Sequence, residues 1–133
     1  MKDAAGIKEY HSDGKVEWDI PIRWLDARRM RGLRHAIARN YYPSGQLKIE
    51  RPYVDGNIEG VERMFYPDGT LWSETPYVSS KKSGMARVFH QNGNLSTEME
   101  YVDDQRHGMF RRFDEADGST IILEQKFING KGI

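Results

Sequence analysis

The sequence predicts an all-β fold, an elongated antiparallel sheet of stacked β-hairpin repeats about 24 residues long, and three observations carry that reading. First, Gly45, Gly69 and Gly93 recur at a spacing of 24, and Gly60, Gly84, Gly108 and Gly132 form a second series at the same spacing. Two glycine series in lockstep mark an internal repeat. Second, a pattern of Glu, two variable residues, an aromatic and a β-branched aliphatic recurs as Glu50 to Val54, Glu74 to Val78, Glu98 to Val102 and Glu124 to Ile128. Third, Tyr42-Pro43-Ser44-Gly45, Tyr66-Pro67-Asp68-Gly69 and His90-Gln91-Asn92-Gly93 place Pro, Asp or Asn where a tight turn bends, then Gly where φ must be positive.

Taken in chain order, Tyr10-His11-Ser12-Asp13-Gly14 reads as a first hairpin tip, and Trp24-Leu25-Asp26 resembles Tyr53-Val54-Asp55. That region is out of register with the rest. From Gly32 to Tyr41-Tyr42 there are four more residues than from Gly60 to Phe65-Tyr66. The extra length allows either a short helix over Asp26 to Ala38 or long, bulged strands; Gly32 would interrupt a helix, and strands are favoured. Each following unit has flanks rich in Tyr, Phe, Trp, Val, Leu and Thr, the residues of pleated strands. A second turn per unit falls near Asp55-Gly56-Asn57, Asp103-Asp104 and Asn129-Gly130, which leaves no room for a helix. Near the C-terminus Asp114-Glu115-Ala116-Asp117-Gly118 lengthens one tip, and Gly132 is expected to recover the phase. Gly14, Gly45, Gly69, Gly93 and Gly118 are the expected structural turn glycines.

The hairpin register stays open at this level. A three-residue loop at Pro67-Asp68-Gly69 pairs Phe65 with Leu71 and sets Glu62 against Glu74, a like-charge contact, whereas a two-residue loop sets Arg63 against Glu74. The same choice recurs at Arg87 and Glu98. The three-residue loop is favoured because Pro supplies the φ its first position needs. The column Tyr53, Tyr77, Tyr101 and Phe127, together with Leu47, Leu71 and Leu95, reads as the core side of the sheet.

Length and composition fit a single domain over residues 1–133, with a degenerate unit at 1–32 and repeats at 33–60, 61–84, 85–108 and 109–133. Twenty basic and twenty acidic side chains cancel, so no overall field draws the chain to nucleic acid or an anionic membrane. The absence of Cys removes disulfides and thiolate chemistry and fits a reducing compartment, and no apolar run approaches a membrane span, so a cytoplasmic location is expected.

The residues Tyr66 to Leu71 and Glu74 to Val78, with their equivalents in neighbouring units, resemble the MORN repeat in its bacterial variant form, the YwqK-type antitoxin family. The likeness covers residues 33–133 well and the first 32 loosely, and the usual Gly-Lys-X-X-Gly lead-in appears only in altered forms such as Gly56 to Gly60 and Lys81 to Gly84. The resemblance implies hairpins stacked along one axis into a curled sheet. It also implies an immunity protein that neutralises a cognate toxin by occlusion.

No chemistry is written into the sequence. His11, His35, His90 and His107 are scattered, no metal-ligand spacing or phosphate loop occurs, and the Glu50, Glu74, Glu98, Glu124 column follows the repeat as scaffold would. The expectation is therefore a non-enzyme without metal or cofactor that binds another protein and takes no small-molecule substrate. Non-periodic residues are the candidate binding site: Trp24 and Trp72, and Arg28, Arg29, Arg31 and Arg34 within a cluster from Arg23 to Arg39 that holds one acid, Asp26. A scaffolding role, or anion binding through the same cluster to phospholipid or nucleic acid, is the alternative. Glu98, Glu100, Asp103 and Asp104 form a stretch of the opposite sign.

Overall fold

The computed structural model describes residues 7–10, 16–20 and 35–133, the first two segments as backbone strands only. Among the described residues every element is a strand: β1 (Ile7–Tyr10), β2 (Val16–Ile20), β3 (Ala36–Tyr41), β4 (Leu47–Val54), β5 (Asn57–Ile58), β6 (Gly60–Phe65), β7 (Leu71–Val78), β8 (Lys81–Lys82), β9 (Gly84–Phe89), β10 (Leu95–Val102), β11 (Gln105–Phe113), β12 (Ile121–Ile128) and β13 (Lys131–Gly132). They form one open antiparallel sheet of 13 strands ordered β1-β2-β3-β4-β6-β7-β9-β10-β11-β12-β13, with β5 beside β4 and β8 beside β7. Along this path each strand pairs with the next, as a hairpin array requires, while the two-residue strands β5 and β8 pair only with the strand before them.

Two kinds of turn drive this. At the tips Tyr66 N–H donates to the Thr70 carbonyl at 2.8 Å and Gly69 N–H to the Tyr66 carbonyl at 2.9 Å, with Gly69 at φ +93. The tips at Tyr42 and His90 repeat these bonds. At the other end of each unit sit two-residue turns, Asp55-Gly56, Ser79-Ser80, Asp103-Asp104 and Asn129-Gly130, in which both residues have positive φ. That is the type I′ turn whose twist matches paired strands. Its backbone links the units: the N–H groups of Ser80, Asp104 and Gly130 donate to the carbonyls of Ile58, Lys82 and Arg106 in the preceding unit at 3.0, 2.9 and 2.8 Å.

The register resolves the choice left open by the sequence. Phe65 pairs with Leu71, as a three-residue loop demands, yet Arg63 also pairs with Glu74. Both hold because the register shifts between Met64 and Phe65, leaving Trp72 as the extra residue of a β-bulge. The bulge spares the sheet a Glu62–Glu74 contact and sets Glu62 opposite Thr75. Equivalent shifts occur at every tip, from Glu9/Tyr10 to Arg112/Phe113. A consequence is that Leu71 shares the face of Phe65, opposite that of Ser73, Thr75 and Tyr77, so the Leu and Tyr columns line different faces rather than one core.

Two further expectations are corrected. The tip from Asp114 runs from Phe113 to Ile121, two residues longer than Phe89 to Leu95, so Gly132 pairs with Phe127 and occupies the column of Arg106 rather than that of Gly108. The segment from Ala36 is strand β3, so a helix reaching Ala38 does not form; Asp26 to Arg34 lie outside the described residues.

A single layer has little interior. Among the described residues only Ala38, Met99, Phe113 and Phe127 form a buried apolar core, and Asn40 and Glu62 are buried beside them. Ala38, Asn40, Glu62, Met99 and Phe127 all lie on the face of Tyr77, which is therefore the inner face.

Candidate functional site

Side chains of directly opposed residues share a face. On the inner face this brings together Arg51 of β4, Glu62 and Met64 of β6, Thr75 and Tyr77 of β7, Ala86 and Val88 of β9, Thr97, Met99 and Tyr101 of β10 and Phe110 of β11. With Trp72, Lys82 and Arg106 they line a groove of about 500 Å³. Contributions from so many consecutive strands mean that the sheet curves around it.

The floor holds an ion pair. Arg51 Nε donates to Glu62 Oε2 at 2.5 Å between adjacent hairpins, and the Glu62 side chain is only 6% exposed. Burial alone would lower the Arg51 pKa, but hydrogen bonds with Tyr53 and Glu62 outweigh it and leave the guanidinium raised above its ordinary value. Burial, then the Glu62 carboxylate, push the Tyr77 phenol up as well. Neither member of the ion pair follows the repeat: the next unit has Thr75 and Ala86 in their places, and the one after has Met99 and Phe110. At the turn end the walls are cation on ring, with Lys82 Nζ 5.2 Å from the Tyr101 ring centre and the Arg106 guanidinium 5.2 Å from that of Phe127. At the tip end Trp72 is 41% exposed, its ring 5.9 Å from that of Tyr66.

The outer face carries a row of alternating charge. Along successive registers run Arg39, Glu50, Arg63, Glu74, Arg87, Glu98, Arg111 and Glu124, alternating in charge. Ion pairs form along it at 3.3 Å for Arg39–Glu50, 3.2 Å for Arg63–Glu74, 3.8 Å for Arg87–Glu98, and 3.3 and 2.7 Å from Arg111 to Glu98 and Glu124. The periodic glutamates are therefore one half of a cross-strand scaffold.

Of the residues singled out in the sequence, Trp72 lies on the groove as the bulge residue. Trp24, Arg28, Arg29, Arg31, Arg34 and the turn residue Gly14 lie outside the described residues. Arg39, at the end of that cluster, is engaged with Glu50. Gly45, Gly69, Gly93 and Gly118 take φ of +93, +93, +92 and +65. The acidic stretch is dispersed: Glu98 belongs to the charge row, Asp103 and Asp104 form a turn, and Asp104 Oδ1 accepts the Lys82 N–H at 2.8 Å. Sequence reasoning missed Arg51, Glu62 and Met64, although each departs from its repeat column, which was the available signal. Among the described residues no group of three or more His, Asp or Glu side chains is placed to hold a metal ion.

The described residues form a single-layer hairpin array with a groove lined by its inner face. Residues 34–55, 58–79 and 82–103 each match the family described as MORN repeat variant, and the three segments are stacked repeats of that type. Such repeats are non-catalytic modules that generally bind proteins or membranes. A comparison with curated proteins found no match.

Proposed function

We propose that the protein is a protein-binding module whose inner groove seats a segment of its partner. The observation that supports this reading is the breakdown of the repeat inside the groove. A scaffold alone needs the same residue in each unit, yet Arg51, Thr75 and Met99 share one column and Glu62, Ala86 and Phe110 another. Half-buried Met64, Tyr77, Tyr101 and Phe110 and the exposed Trp72, beside fixed charge, suit a segment with apolar anchors and a polar flank. The cations at the turn end, Lys82 and Arg106, favour acidic residues on that flank. The test compares partner capture by the wild type with capture by Tyr101→Ala and Met64→Ala: both variants should fold and lose the partner, and retention by both would exclude the groove.

The finer reading is an immunity protein that occludes a cognate toxin in the cytoplasm, and its support is the family resemblance carried by Tyr66 to Leu71 and Glu74 to Val78. A toxin gene adjacent in the genome, and rescue of growth when both are expressed, would support it. The segment from Trp24 to Arg34 is the second candidate surface, on its excess of arginine beside tryptophan. Reversing Arg28 and Arg31 to Glu tests it against the groove variants.

A further inference from the structure

The cations at the turn end of the groove are set on a fixed step. Tyr77 pairs with Lys82 and Tyr101 with Arg106, so two successive units each contribute one ring and one cation to the groove wall. Lys82 Nζ lies over the Tyr101 ring and the Arg106 guanidinium over that of Phe127, which orders the row as Tyr77, Lys82, Tyr101, Arg106 and Phe127. The other cations of the groove, Arg51 and Arg87, are each paired with a glutamate. Among the described residues Lys82 and Arg106 are in no salt bridge, so this end of the groove is short of acid.

What would supply the acid follows from the step. Lys82 and Arg106 are 24 residues apart and hold equivalent places two strands apart across the sheet. At about 4.8 Å between neighbouring strands that step is about 9.6 Å, and curvature of the sheet toward the groove shortens it at the side-chain tips. A segment lying along the groove meets both cations only if residues on one of its faces recur at that step. A polyproline II helix does this, since three residues make one turn and rise about 9.3 Å. An extended strand covers about 9.9 Å in three residues but sends the two ends to opposite faces. The nearest α-helical repeat, seven residues, rises about 10.5 Å, and curvature moves the step away from that value. The rings between the cations add a second element, because aromatic-lined grooves hold the preformed ridge of proline-rich segments.

We propose that the groove takes an acidic polyproline II segment of the partner, with carboxylates three residues apart on Lys82 and Arg106 and prolines against Tyr77 and Tyr101. The proposal rests on the reading of the groove as the partner's seat and names the segment that fits it. Ile58 stands in the column of Lys82 and Arg106, paired with Tyr53 as Lys82 is with Tyr77, so the row begins apolar and calls for acid at two steps rather than three. A preformed segment also suits a shallow site in a single layer, because little chain entropy is lost on docking.

Titration of the full chain with labelled peptides, read by fluorescence anisotropy at low salt, tests this. A probe of the pattern Pro-Pro-Glu-Pro-Pro-Glu-Pro-Pro should bind saturably. Inserting one proline between the acids, or replacing both acids by Lys, should weaken binding by about threefold or more, as loss of a half-exposed ion pair does. Lys82→Gln and Arg106→Gln should each cost a similar factor while melting within a few degrees of the wild type. Ile58→Lys, which extends the column, should tighten a peptide carrying a third acid at the same spacing more than it tightens the two-acid probe. The spacing comparison needs no variant, so it stands even if a substitution unfolds the chain. No saturable binding of the probe, or binding indifferent to the spacing of the acids, would overturn the proposal. So would preference for an alanine-rich helical peptide with Glu seven residues apart. In each of those cases loss of the host partner from Tyr101→Ala would leave the groove standing as the seat, whereas retention would remove the seat itself.

Discussion

Glu62, 5% exposed, is held against Arg51 of the neighbouring hairpin, and this pair fixes two units together across the groove floor. Removing one partner strands a buried charge. Arg51→Ala should therefore cost about 3 kcal/mol in chemical denaturation. The double variant Arg51→Thr and Glu62→Ala, which copies the next unit, should recover most of that loss. A double variant no more stable than Arg51→Ala would show that the pair is not what Arg51 supports.

His90 sits in the column of Tyr42 and Tyr66, whose hydroxyls donate across units to the carbonyls of Phe65 and Phe89 at 2.7 and 2.6 Å. The shorter His90 makes no such bond, and its Nε2 is enclosed without a hydrogen-bond partner. His90→Tyr should restore the bond, to the Phe113 carbonyl, and stabilise by roughly 1 kcal/mol. An unchanged or lower melting temperature would contradict this.

The glycines of the tips separate backbone strain from crowding. Gly93 has φ +92 and nothing within 4 Å of the place a Cβ would take, so Gly93→Ala measures the backbone term alone, about 1–2 kcal/mol. In Gly118→Ala the new Cβ would also meet Asn94 Cβ at 2.9 Å, so its loss includes crowding against the preceding tip.

How far the sequence carries can be judged at Trp72 and Glu62. Spacing and turn residues were enough to place the tips at Gly45, Gly69 and Gly93, the strands from β3 onward and the column Gly60, Gly84 and Gly108, because a repeat repeats its local signals, whereas the longer last tip put Gly132 out of that column. The bulge at Trp72 was not legible: it has no composition of its own, its counterparts being Lys48, Ser96 and Ile122, and it exists because two pairings, Phe65 with Leu71 and Arg63 with Glu74, both had to be met. The groove was hidden for the same reason, since the bulge decides which columns share a face. Glu62 and Arg51 stand out only once that face is known.

Acid should loosen the last tip in a defined window. Asp117 accepts the Thr120 hydroxyl and the backbone N–H groups of Thr120 and Ser119, and these bonds hold its pKa at about 2, below the ordinary 3.8. A depressed carboxylate adds stability above its unfolded pKa and loses it as pH falls through the folded one. Asp117→Asn should therefore melt lower than the wild type at neutral pH, with the gap closing between about pH 4 and pH 2. A gap constant over that range would mean the carboxylate charge is not involved.

The most direct measurement of the central reading is capture of partner proteins from the native host with three tagged chains: the wild type, the groove variant Tyr101→Ala and the arginine reversal of Arg28 and Arg31 to Glu. A seat in the groove requires that a protein bound by the wild type be retained by the arginine reversal and lost from Tyr101→Ala, with melting temperatures of all three within a few degrees. The contrary result, retention by Tyr101→Ala and loss from the arginine reversal, would place the interface on the segment before β3 and contradict the groove.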